Sequence, residues 1–387
     1  MKSIELFAGA GGLGIGLHRA GFHPELVVER DAYCCDTIRE NQGRVGSVVN
    51  DWLLEQGDVR GVDFSGYEGQ VDLISGGPPC QPFSMGGKHK AYDDARDMFP
   101  QAIRAVREAK PKAFVFENVK GLTRASFQNY FSYIELQMKH PEVVIRNGED
   151  WAEHLARLEQ HETSGIRDGL HYQVVTRLLN AANHGVPQRR ERVLFVGFRT
   201  DLAEEWHFPR ELFTADALIW DQYGDGSYWE RHGVAKKERP ENTALKARAD
   251  RMGEKPVGLP WKTVRDAISD LPDPEHQPDK ARKIANHRFQ GGARSYTGHT
   301  GSPLDEPAKT LKAGVHGVPG GENMLLKPGG EVRYFTVRES ARLQTFPDDY
   351  VFHGSWSETM RQLGNAVPVR LAEIVGRDVE RVLRLAA

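Results

Sequence analysis

The stretch Phe7-Ala8-Gly9-Ala10-Gly11-Gly12-Leu13-Gly14 follows an apolar segment at residues 4–7 and leads into a helical one. Gly9, Gly11 and Gly14 fit the G-x-G-x-x-G spacing, which permits a tight turn and lets a ligand approach the backbone closely. This spacing suits NAD and S-adenosylmethionine equally, and it also occurs in turns that bind no ligand. It therefore predicts a strand, a turn and a helix, with a nucleotide-like pocket as one interpretation.

Further apolar segments at residues 26–29, 71–75 and 113–116 alternate with amphipathic segments such as 17–20 and 32–40. Short apolar runs that alternate with helical patterns are typical of parallel sheets. The pattern therefore predicts an α/β fold with a doubly wound, mostly parallel, Rossmann-like sheet.

The rest of the chain is less regular. Residues 126–182 form a polar section that we interpret as helical, and residues 192–198 return as a strand. Helical spacing of apolar residues recurs at 336–344 and 369–385. Between them the chain is rich in Gly, Pro, Trp and His. Because a single core stops growing near roughly 250–300 residues, we predict a catalytic and cofactor-binding domain at 1–199, a smaller irregular domain at 200–331, and a segment at 332–387 that returns to the first domain.

Composition limits the class of protein. Hydrophobic residues make up 39% of the 387 residues, and no apolar run approaches the roughly 18 residues that span a bilayer. The N-terminus shows no leader pattern, so we expect a cytoplasmic protein. The three cysteines, Cys34, Cys35 and Cys80, include no C-x-x-C pair, so they predict neither a disulfide framework nor a metal site. The formal net charge of −3 speaks only weakly against nucleic acid.

Two acidic residues follow predicted strands near the glycine loop. Glu29 ends the second strand about 20 residues after the loop, where a carboxylate binds ribose hydroxyls. Asp58 follows the third strand, where a carboxylate accepts the amino group of an adenine. By itself, Asp58 is equally a loop carboxylate or a helix cap.

Polar residues also stand where two later strands end. Cys80 follows the strand at 71–75 between Pro79 and Gln81-Pro82, which would hold its sulfur in one direction at the ligand-binding edge of the sheet. Glu117 ends the strand at 113–116, and a basic cluster at 188–192 precedes the next strand. Taken singly, these are an inert thiol, a surface glutamate and a solvated basic face.

Together these residues fit methylation of cytosine at carbon 5. Carbon 5 becomes reactive after a thiolate adds to carbon 6, and a thiol with a pKa near about 8.5 needs nearby positive charge to ionise at neutral pH. Arg190 or Arg192 would supply that charge, and Glu117 with a raised pKa would protonate ring atom N3. The base must leave the duplex to be reached on its face.

The chain resembles the DNA (cytosine-5) methyltransferase family over nearly its full length. Motifs in the family's order include Pro79-Cys80-Gln81, Glu117-Asn118-Val119 and a late Gly364-Asn365-Ala366-Val367-Pro368. The resemblance implies S-adenosylmethionine as cofactor, no metal, and catalytic roles for Cys80, Glu117, Arg190 and Arg192. The cofactor contacts that it implies are Phe7, Gly9, Gly11, Gly12, Leu13, Glu29, Arg30, Asp58, Val59, Pro79, Asn365, Ala366 and Val367. The loop at 93–99 departs from the family's D-x-R-G-like stretch, so its details are not carried over.

The resemblance also implies duplex DNA as the partner, with the 200–331 region as target-recognition domain. Residues 280–333 hold nine basic against four acidic side chains, enough to engage several phosphates. We expect DNA contacts from Gln81, Ser84, Gln188, Arg294, His299, Lys309 and Lys312, although a flexible basic loop without base contacts is an equal alternative.

Other functions remain open at this point. A methyltransferase of the same fold that acts on transfer RNA needs the same cysteine chemistry; the roughly 130-residue irregular domain favours DNA. A dinucleotide-dependent oxidoreductase explains the glycines and Glu29 but not Cys80, Glu117 or the 188–192 cluster, and a catalytically silent DNA-binding module does not explain the cysteine. We further expect a monomer, association with the nucleoid, and a cognate restriction endonuclease that acts on the same site.

Overall fold

A seven-stranded sheet organises the first half of the chain. The computed structural model describes residues 1–79, 97–165, 168–202, 205–297, 299–313 and 323–386. The strands follow the order β3-β2-β1-β4-β5-β7-β6. They are β1 (Lys2–Leu6), β2 (His23–Glu29), β3 (Leu54–Gln56), β4 (Leu73–Gly76), β5 (Ala113–Val119), β6 (Tyr172–Asn180) and β7 (Glu191–Arg199).

The sheet is parallel except at β7, which pairs antiparallel with both β5 and β6. This confirms the predicted mostly parallel α/β sheet. One prediction within it is wrong: residues 172–180 are strand β6 and not part of a helical section. The segment contains the β-branched run Val174-Val175-Thr176, but polar residues around it obscure a period of two. Its pairing with β7 along nine residues makes it a strand.

Helices cover both faces of the sheet. They are α1 (Gly12–Arg19), α2 (Ala32–Asn41), α3 (Phe99–Ala109), α4 (Gln128–Lys139) and α5 (Trp151–Ser164), followed late in the chain by α11 (Val337–Leu343), α12 (Trp356–Asn365) and α13 (Val369–Leu385). Alternate residues of β5 point to opposite faces, so Phe114 and Phe116 join the core under α3 and α4, while Ala113 and Val115 join the core under α1 and α13. The two faces together make the fold doubly wound.

Helices α1 and α13 pack closely because glycines stand where they cross. A Cβ added to Gly16 would lie 2.4 Å from both the Ala372 Cβ and the Val369 carbonyl oxygen. A Cβ on Gly376 would lie 2.9 Å from the Ala20 Cβ. The last helix is therefore seated directly on the helix that follows the glycine loop.

We expect Gly16→Ala to destabilise the protein by about 1–3 kcal/mol, because the added methyl group collides with backbone and cannot be accommodated by a rotamer change. Gly61→Ala is the control, since its Cβ would meet no atom within 4 Å; its effect should stay within about 0.5 kcal/mol. Urea unfolding of both variants measures the difference. Equal stability of the two would contradict the close packing.

A second region of short elements lies between the sheet and α11. It contains α6 (Ala215–Ile219), α7 (Ser227–Arg231), α8 (Thr243–Met252), α9 (Val264–Ile268) and α10 (Pro278–Ala281), the strand pair β8 (Phe213–Thr214) and β9 (Leu259–Pro260), and a small sheet of β10 (Ser302–Pro303), β11 (Met324–Leu326) and β12 (Val332–Tyr334). Strand β12 lies beyond residue 331, the predicted end of this region. In the described part of the chain, none of the helices has the length and apolarity to cross a membrane.

Candidate active site

The glycine loop is held at the carboxyl edge of the sheet by Glu29. The Gly9 N–H donates to Glu29 Oε2 at 2.7 Å, and the Asp31 N–H donates to Glu29 Oε1 at 2.6 Å. Gly9 and Gly11 have φ angles of 56° and 84°, which favour glycine, and Phe7 between strand and loop has φ 53°. The carboxylate of Glu29 is thus fixed beside the loop, with lone pairs left for ligand hydroxyls.

The other side of the loop touches distant parts of the chain. A Cβ on Gly12 would lie 2.4 Å from the Val367 carbonyl oxygen and 3.3 Å from the Ala366 Cβ. The Tyr350 hydroxyl donates to the Ala10 carbonyl oxygen at 2.9 Å. The structure therefore brings together the predicted contacts from the start and the end of the chain. Asn365 beside them is exposed.

Two further residues, Trp52 and Tyr350, support this loop and were not predicted from the sequence. The Trp52 ring would lie 3.2 Å from a Cβ on Gly11 and 2.8 Å from a Cβ on Gly14. Trp52 and Tyr350 are both buried. No local signal marks them, since their role depends on a fold that places them beside residues about 40 and 340 positions earlier.

Glu5 is a buried carboxyl group directly behind the loop. It accepts a hydrogen bond from the Ser75 hydroxyl and one from the Gly14 N–H. Burial raises the pKa of Glu5 to about 8, although these hydrogen bonds oppose the shift. The side chain is therefore largely neutral at pH 7.

The raised pKa of Glu5 predicts a loss of stability with rising pH. The unfolded chain releases the Glu5 proton near pH 4.5 and the folded chain near pH 8, so the unfolding free energy falls by about 1.4 kcal/mol per pH unit between these values. Below pH 4.5 this contribution is fully present. Glu5→Gln should remove the slope, and at pH 7 should be more stable than wild type by an amount on the order of 3 kcal/mol.

The measurement is urea unfolding from pH 4.5 to 8.5. Glu25→Gln, at an exposed glutamate of β2, is the control and should keep the wild-type slope. A wild-type slope in Glu5→Gln would refute the interpretation.

Asp58 does not stand free to receive an adenine. Its side chain caps a short 3-10 turn and makes a double hydrogen bond with Arg60, at 2.9 Å to Nε and 2.6 Å to Nη2. Arg60 holds the pKa of Asp58 well below its ordinary value. Arg30 lies 3.7 Å from the same carboxylate and is exposed. An adenine amino group would share this carboxylate with arginines.

Three other predicted cofactor contacts differ in exposure. Leu13 and Val59 are buried in the two cores of the sheet, so only their backbones can face a ligand. Pro79 is exposed at the end of β4, and its carbonyl oxygen accepts from the Met98 N–H at 3.0 Å.

Glu117 and Arg192 form an ion pair at the carboxyl edge of the sheet. Arg192 Nε lies 2.6 Å from Glu117 Oε1, and both side chains are about nine-tenths buried. A Cβ on Gly77 would lie 3.2 Å from Glu117 Oε2, and Asn118 Nδ2 donates to the Pro78 carbonyl oxygen at 3.0 Å. The pair therefore lies beside the segment that leads into Cys80.

Arg190 and Gln188 are fully buried and do not reach the surface. Arg190 donates from Nη1 to the Leu311 carbonyl oxygen at 3.0 Å and from Nη2 to the Gly364 carbonyl oxygen at 2.7 Å. Gln188 accepts from the Leu311 N–H at 3.0 Å and donates to the Leu343 carbonyl oxygen at 3.3 Å. Burial lowers the pKa of Arg190 well below its ordinary value, and the charge of nearby Arg192 adds to this effect.

The side chains of Gln188 and Arg190 thus tie segments 187–190 and 308–311 to each other. The predicted contacts of Gln188 with DNA and of Arg190 with the target base stay predictions. The Arg189 N–H also donates to the Ala308 carbonyl oxygen at 2.8 Å, and the Ala308 N–H to that of Pro187 at 2.9 Å. Sequence spacing could not show this, since the partners lie about 120 residues apart.

The other predicted DNA contacts lie in the second region. Arg294 and Lys312 are exposed, and His299 is half-buried with its ring 4.4 Å from that of Tyr296. Lys309 Nζ donates to the Thr300 hydroxyl at 2.9 Å. Cys80, Gln81 and Ser84 lie outside the described residues.

The carboxyl edge of the sheet suits S-adenosylmethionine, the cofactor that the family resemblance implies. A loop with positive φ at its glycines admits a ligand to the backbone, and Glu29, fixed by two N–H donors, suits ribose hydroxyls. Asp58 suits an adenine amino group if it is shared with Arg60. A fold and edge of this kind belong to the Rossmann-like class of α/β enzymes.

The comparisons with known proteins narrow this class. The family model of C-5 cytosine-specific DNA methylases matches residues 1–141 and 163–381, so the chain belongs to that family. It is similar to the Type II methyltransferase M.PspPI of Psychrobacter sp. (34% identical over 99% of this chain and 80% of the relative). It is also similar to M.NgoMIV of Neisseria gonorrhoeae (31% identical, 99% of this chain and 98% of the relative). The crystal structure of S. pombe Dnmt2 shares the fold (TM-score 0.55, 18% identical, 100% of this chain and 99% of that chain).

The protein is thus a DNA cytosine-5 methyltransferase, and it takes its methyl group from S-adenosylmethionine. This family membership excludes the oxidoreductase and the catalytically silent module.

Proposed function

We propose that the protein methylates one cytosine within a short DNA sequence, after that cytosine has turned out of the duplex and formed a covalent bond with Cys80. The observation that carries this proposal is the Glu117–Arg192 pair beside Pro78, at the edge that also holds the glycine loop and Glu29. The Cys80 thiol, the Glu117 carboxyl group that acts on the cytosine ring, and the cofactor would lie together at this edge of the sheet.

In this mechanism the Cys80 thiolate adds to carbon 6 of the cytosine while Glu117 hydrogen-bonds at N3 and stabilises the electron density that moves into the ring. Arg192 holds the Glu117 carboxyl group in place through its 2.6 Å contact. When bound, S-adenosylmethionine supplies an electrophilic methyl group to carbon 5. Loss of the carbon 5 proton to a base then allows the carbon–sulfur bond to break, and Cys80 leaves as thiolate.

Arg190 is a positioning residue in this proposal. Its two hydrogen bonds connect the segment before β7 to Leu311 and to Gly364 next to the cofactor-side segment 365–367. It would therefore keep the ring-binding pair, the second region and the cofactor pocket in a fixed relation. Gln188 would have the same role at Leu311 and Leu343.

The second region would provide sequence recognition. It presents Arg294 and Lys312 to solvent, and Tyr296 is 58% exposed beside His299. Basic side chains bind phosphates, and side chains on loops read base edges in a groove. We assign recognition to this region at 200–331, and the catalytic domain to 1–199 with the returning segment 332–387.

The names of the relatives suggest a biological setting. M.PspPI and M.NgoMIV are named Type II methyltransferases. We propose that this protein likewise serves a restriction–modification system, acts as a monomer, and protects a site that a cognate endonuclease cleaves.

The test is transfer of labelled methyl from S-adenosylmethionine to unmethylated duplex DNA and, in parallel, to transfer RNA, followed by sequencing of 5-methylcytosine. We expect label in duplex DNA at one short recurring sequence. Label in transfer RNA alone would refute the substrate, and label scattered over all cytosines would refute sequence specificity.

A further inference from the structure

Helix α5 belongs to a segment that the family description does not match. The matched parts end at residue 141 and resume at 163, whereas α5 spans Trp151–Ser164. The helix is well formed: Asp150 and Glu153 make a capping box, and Leu158 is fully buried against the main core. The Tyr133 hydroxyl on α4 is 2.7 Å from His154 Nδ1 on α5. The segment is thus docked on α4 near its beginning.

Three histidines gather at the other end of α5. His161 lies on α5, His140 ends α4, and His171 immediately precedes β6. Ring centroids are 4.7 Å apart for His140 and His161, and 5.1 Å apart for His140 and His171. One ring nitrogen from each histidine lies within 4.8 Å of the other two. Imidazole nitrogens grouped at this spacing are common metal ligands.

The three hydrogen-bond contacts of His140 and His171 need one more proton than their two neutral rings supply. His140 Nε2 is 2.7 Å from Glu162 Oε2, His140 Nδ1 is 2.9 Å from His171 Nδ1, and His171 Nε2 is 2.9 Å from the Asp168 carbonyl oxygen. Each of these three contacts needs a hydrogen between its atoms. Two neutral imidazole rings carry only two N–H groups. A cation between the two Nδ1 atoms removes the deficit, because both rings then carry their hydrogen on Nε2.

A buried acceptor completes the arrangement. His161 Nε2 is inaccessible to solvent and has no hydrogen-bond partner among the residues that the structure describes. A buried polar atom without a partner costs about 1–3 kcal/mol, so it needs an explanation. A metal ion would bind the lone pair of His161 Nε2 and so give this buried atom a partner.

We propose that His140, His161 and His171 bind one zinc ion, through Nδ1 of His140 and His171 and Nε2 of His161. The other ring nitrogens of His140 and His171 then donate to Glu162 and to the Asp168 carbonyl oxygen. Ligand histidines in zinc sites usually donate in this way to a carboxylate or a backbone carbonyl group. Glu162 also accepts from Lys139 at 3.3 Å, which suits a supporting carboxylate better than a ligand.

The distances need little adjustment. Ligand nitrogens of tetrahedral zinc, each about 2.0–2.1 Å from the metal, are about 3.3 Å apart. The two Nδ1 atoms at 2.9 Å would separate by a few tenths of an ångström. One ring nitrogen from each of the three histidines already lies within 4.8 Å of the other two, so His161 would have to approach the pair. A water molecule would take the fourth position.

The site would stabilise the fold and take no part in methyl transfer. Glu117 pairs with Leu194 and Leu194 with Arg177, five residues along β6 from Tyr172. At about 3.3 Å per residue, the histidines lie about 16 Å or more from the reaction edge. Zinc would fasten the unmatched helix α5 to the start of β6. The expectation of no metal rested on the spacing of the cysteines alone. The three histidines stand 21 and 10 residues apart and form no short motif.

The test uses the full chain, stripped with a chelator, transferred to metal-free buffer and titrated with zinc chloride by calorimetry. We expect one zinc per chain and a rise in the unfolding temperature. His161→Gln should weaken binding by about 100-fold or more, because it removes a ligand. Glu162→Gln should weaken it by about 10–100-fold. Cobalt(II) should give the intense visible spectrum of a tetrahedral site in wild type and lose it in His161→Gln.

His207→Gln is the matched control, since His207 is 79% exposed and is not one of the three clustered histidines; it should bind zinc as wild type does. Unfolding of His161→Gln without metal, measured beside metal-free wild type, checks that the variant folds. The proposal is overturned if wild type binds no zinc, or if His161→Gln binds it as tightly as wild type does.

Discussion

Replacement of Cys80 by alanine is expected to abolish methyl transfer, by roughly 10⁴-fold or more in kcat, while binding of S-adenosylmethionine and duplex DNA stays near wild type. The reason is chemical. Without the sulfur there is no addition at carbon 6, and carbon 5 of a cytosine is too weak a nucleophile to take the methyl group. Rates from labelled S-adenosylmethionine, with binding measured separately for each ligand, check both parts of this prediction.

A trapped adduct would identify the bond itself. In duplex DNA that carries 5-fluorocytosine at the target, no carbon 5 proton can be lost, so the protein should remain attached through Cys80, as peptide mass spectrometry would show. Cys34→Ala and Cys35→Ala are the controls. Both thiols are buried, and burial raises the pKa of Cys35 to about 12, so neither is a nucleophile at neutral pH. Near-normal turnover by Cys80→Ala would contradict the mechanism.

The second large effect is expected at Glu117. Glu117→Gln keeps the size of the side chain but removes the carboxyl group that acts at N3 and pairs with Arg192. We expect kcat to fall by about 10²–10⁴-fold, with a small change in KM, because the carboxyl group acts on the ring as the thiolate adds. The rate of attachment to 5-fluorocytosine DNA should fall in parallel.

Glu191→Gln tests whether that loss is specific. Glu191 begins the same strand as Arg192 but is half-exposed and paired with Lys120 at 2.7 Å. Its replacement should leave kcat within about twofold, as for a surface ion pair of little energetic weight. If both variants lost activity equally, the loss would reflect disturbance of β7 and not chemistry at the ring.

The elements that were predicted correctly have strong and local patterns. Strands β1, β2, β4, β5 and β7 are short apolar runs, and the prediction of a helix at 369–385 matches α13 (Val369–Leu385). The strand pattern predicted Glu117 at the carboxyl end of its strand, but the 188–192 cluster precedes a strand, which in a parallel sheet would put it at the opposite edge. The antiparallel direction of β7 brings Arg192 to Glu117.

What was missed depends on partners distant in the chain. Arg190 looked like a free cation, yet its hydrogen bonds to Leu311 and Gly364 come from segments more than 120 residues away. Asp58 is an exception, since its partner Arg60 stands only two residues away and the helix-cap role left open for Asp58 is one that it has. The roles of these residues in the reaction stay predictions. No pattern in a single sequence predicts which carbonyl group will accept hydrogen bonds from an arginine side chain, because tertiary packing determines the partner.

The seating of α13 on α1 has a consequence for the order of biosynthesis. About 350 residues separate Gly16 from Ala372, which it contacts in the finished fold. At about 5–20 residues per second, a ribosome needs roughly 20–70 s to deliver the second after the first. During that interval α13 does not yet cover the apolar face of α1, which is exposed to chaperones and to other nascent chains. The helix that follows the glycine loop is thus packed in its final form only after the ribosome has passed Ala372, so the methyl-donor pocket is completed long after its first strand has been made.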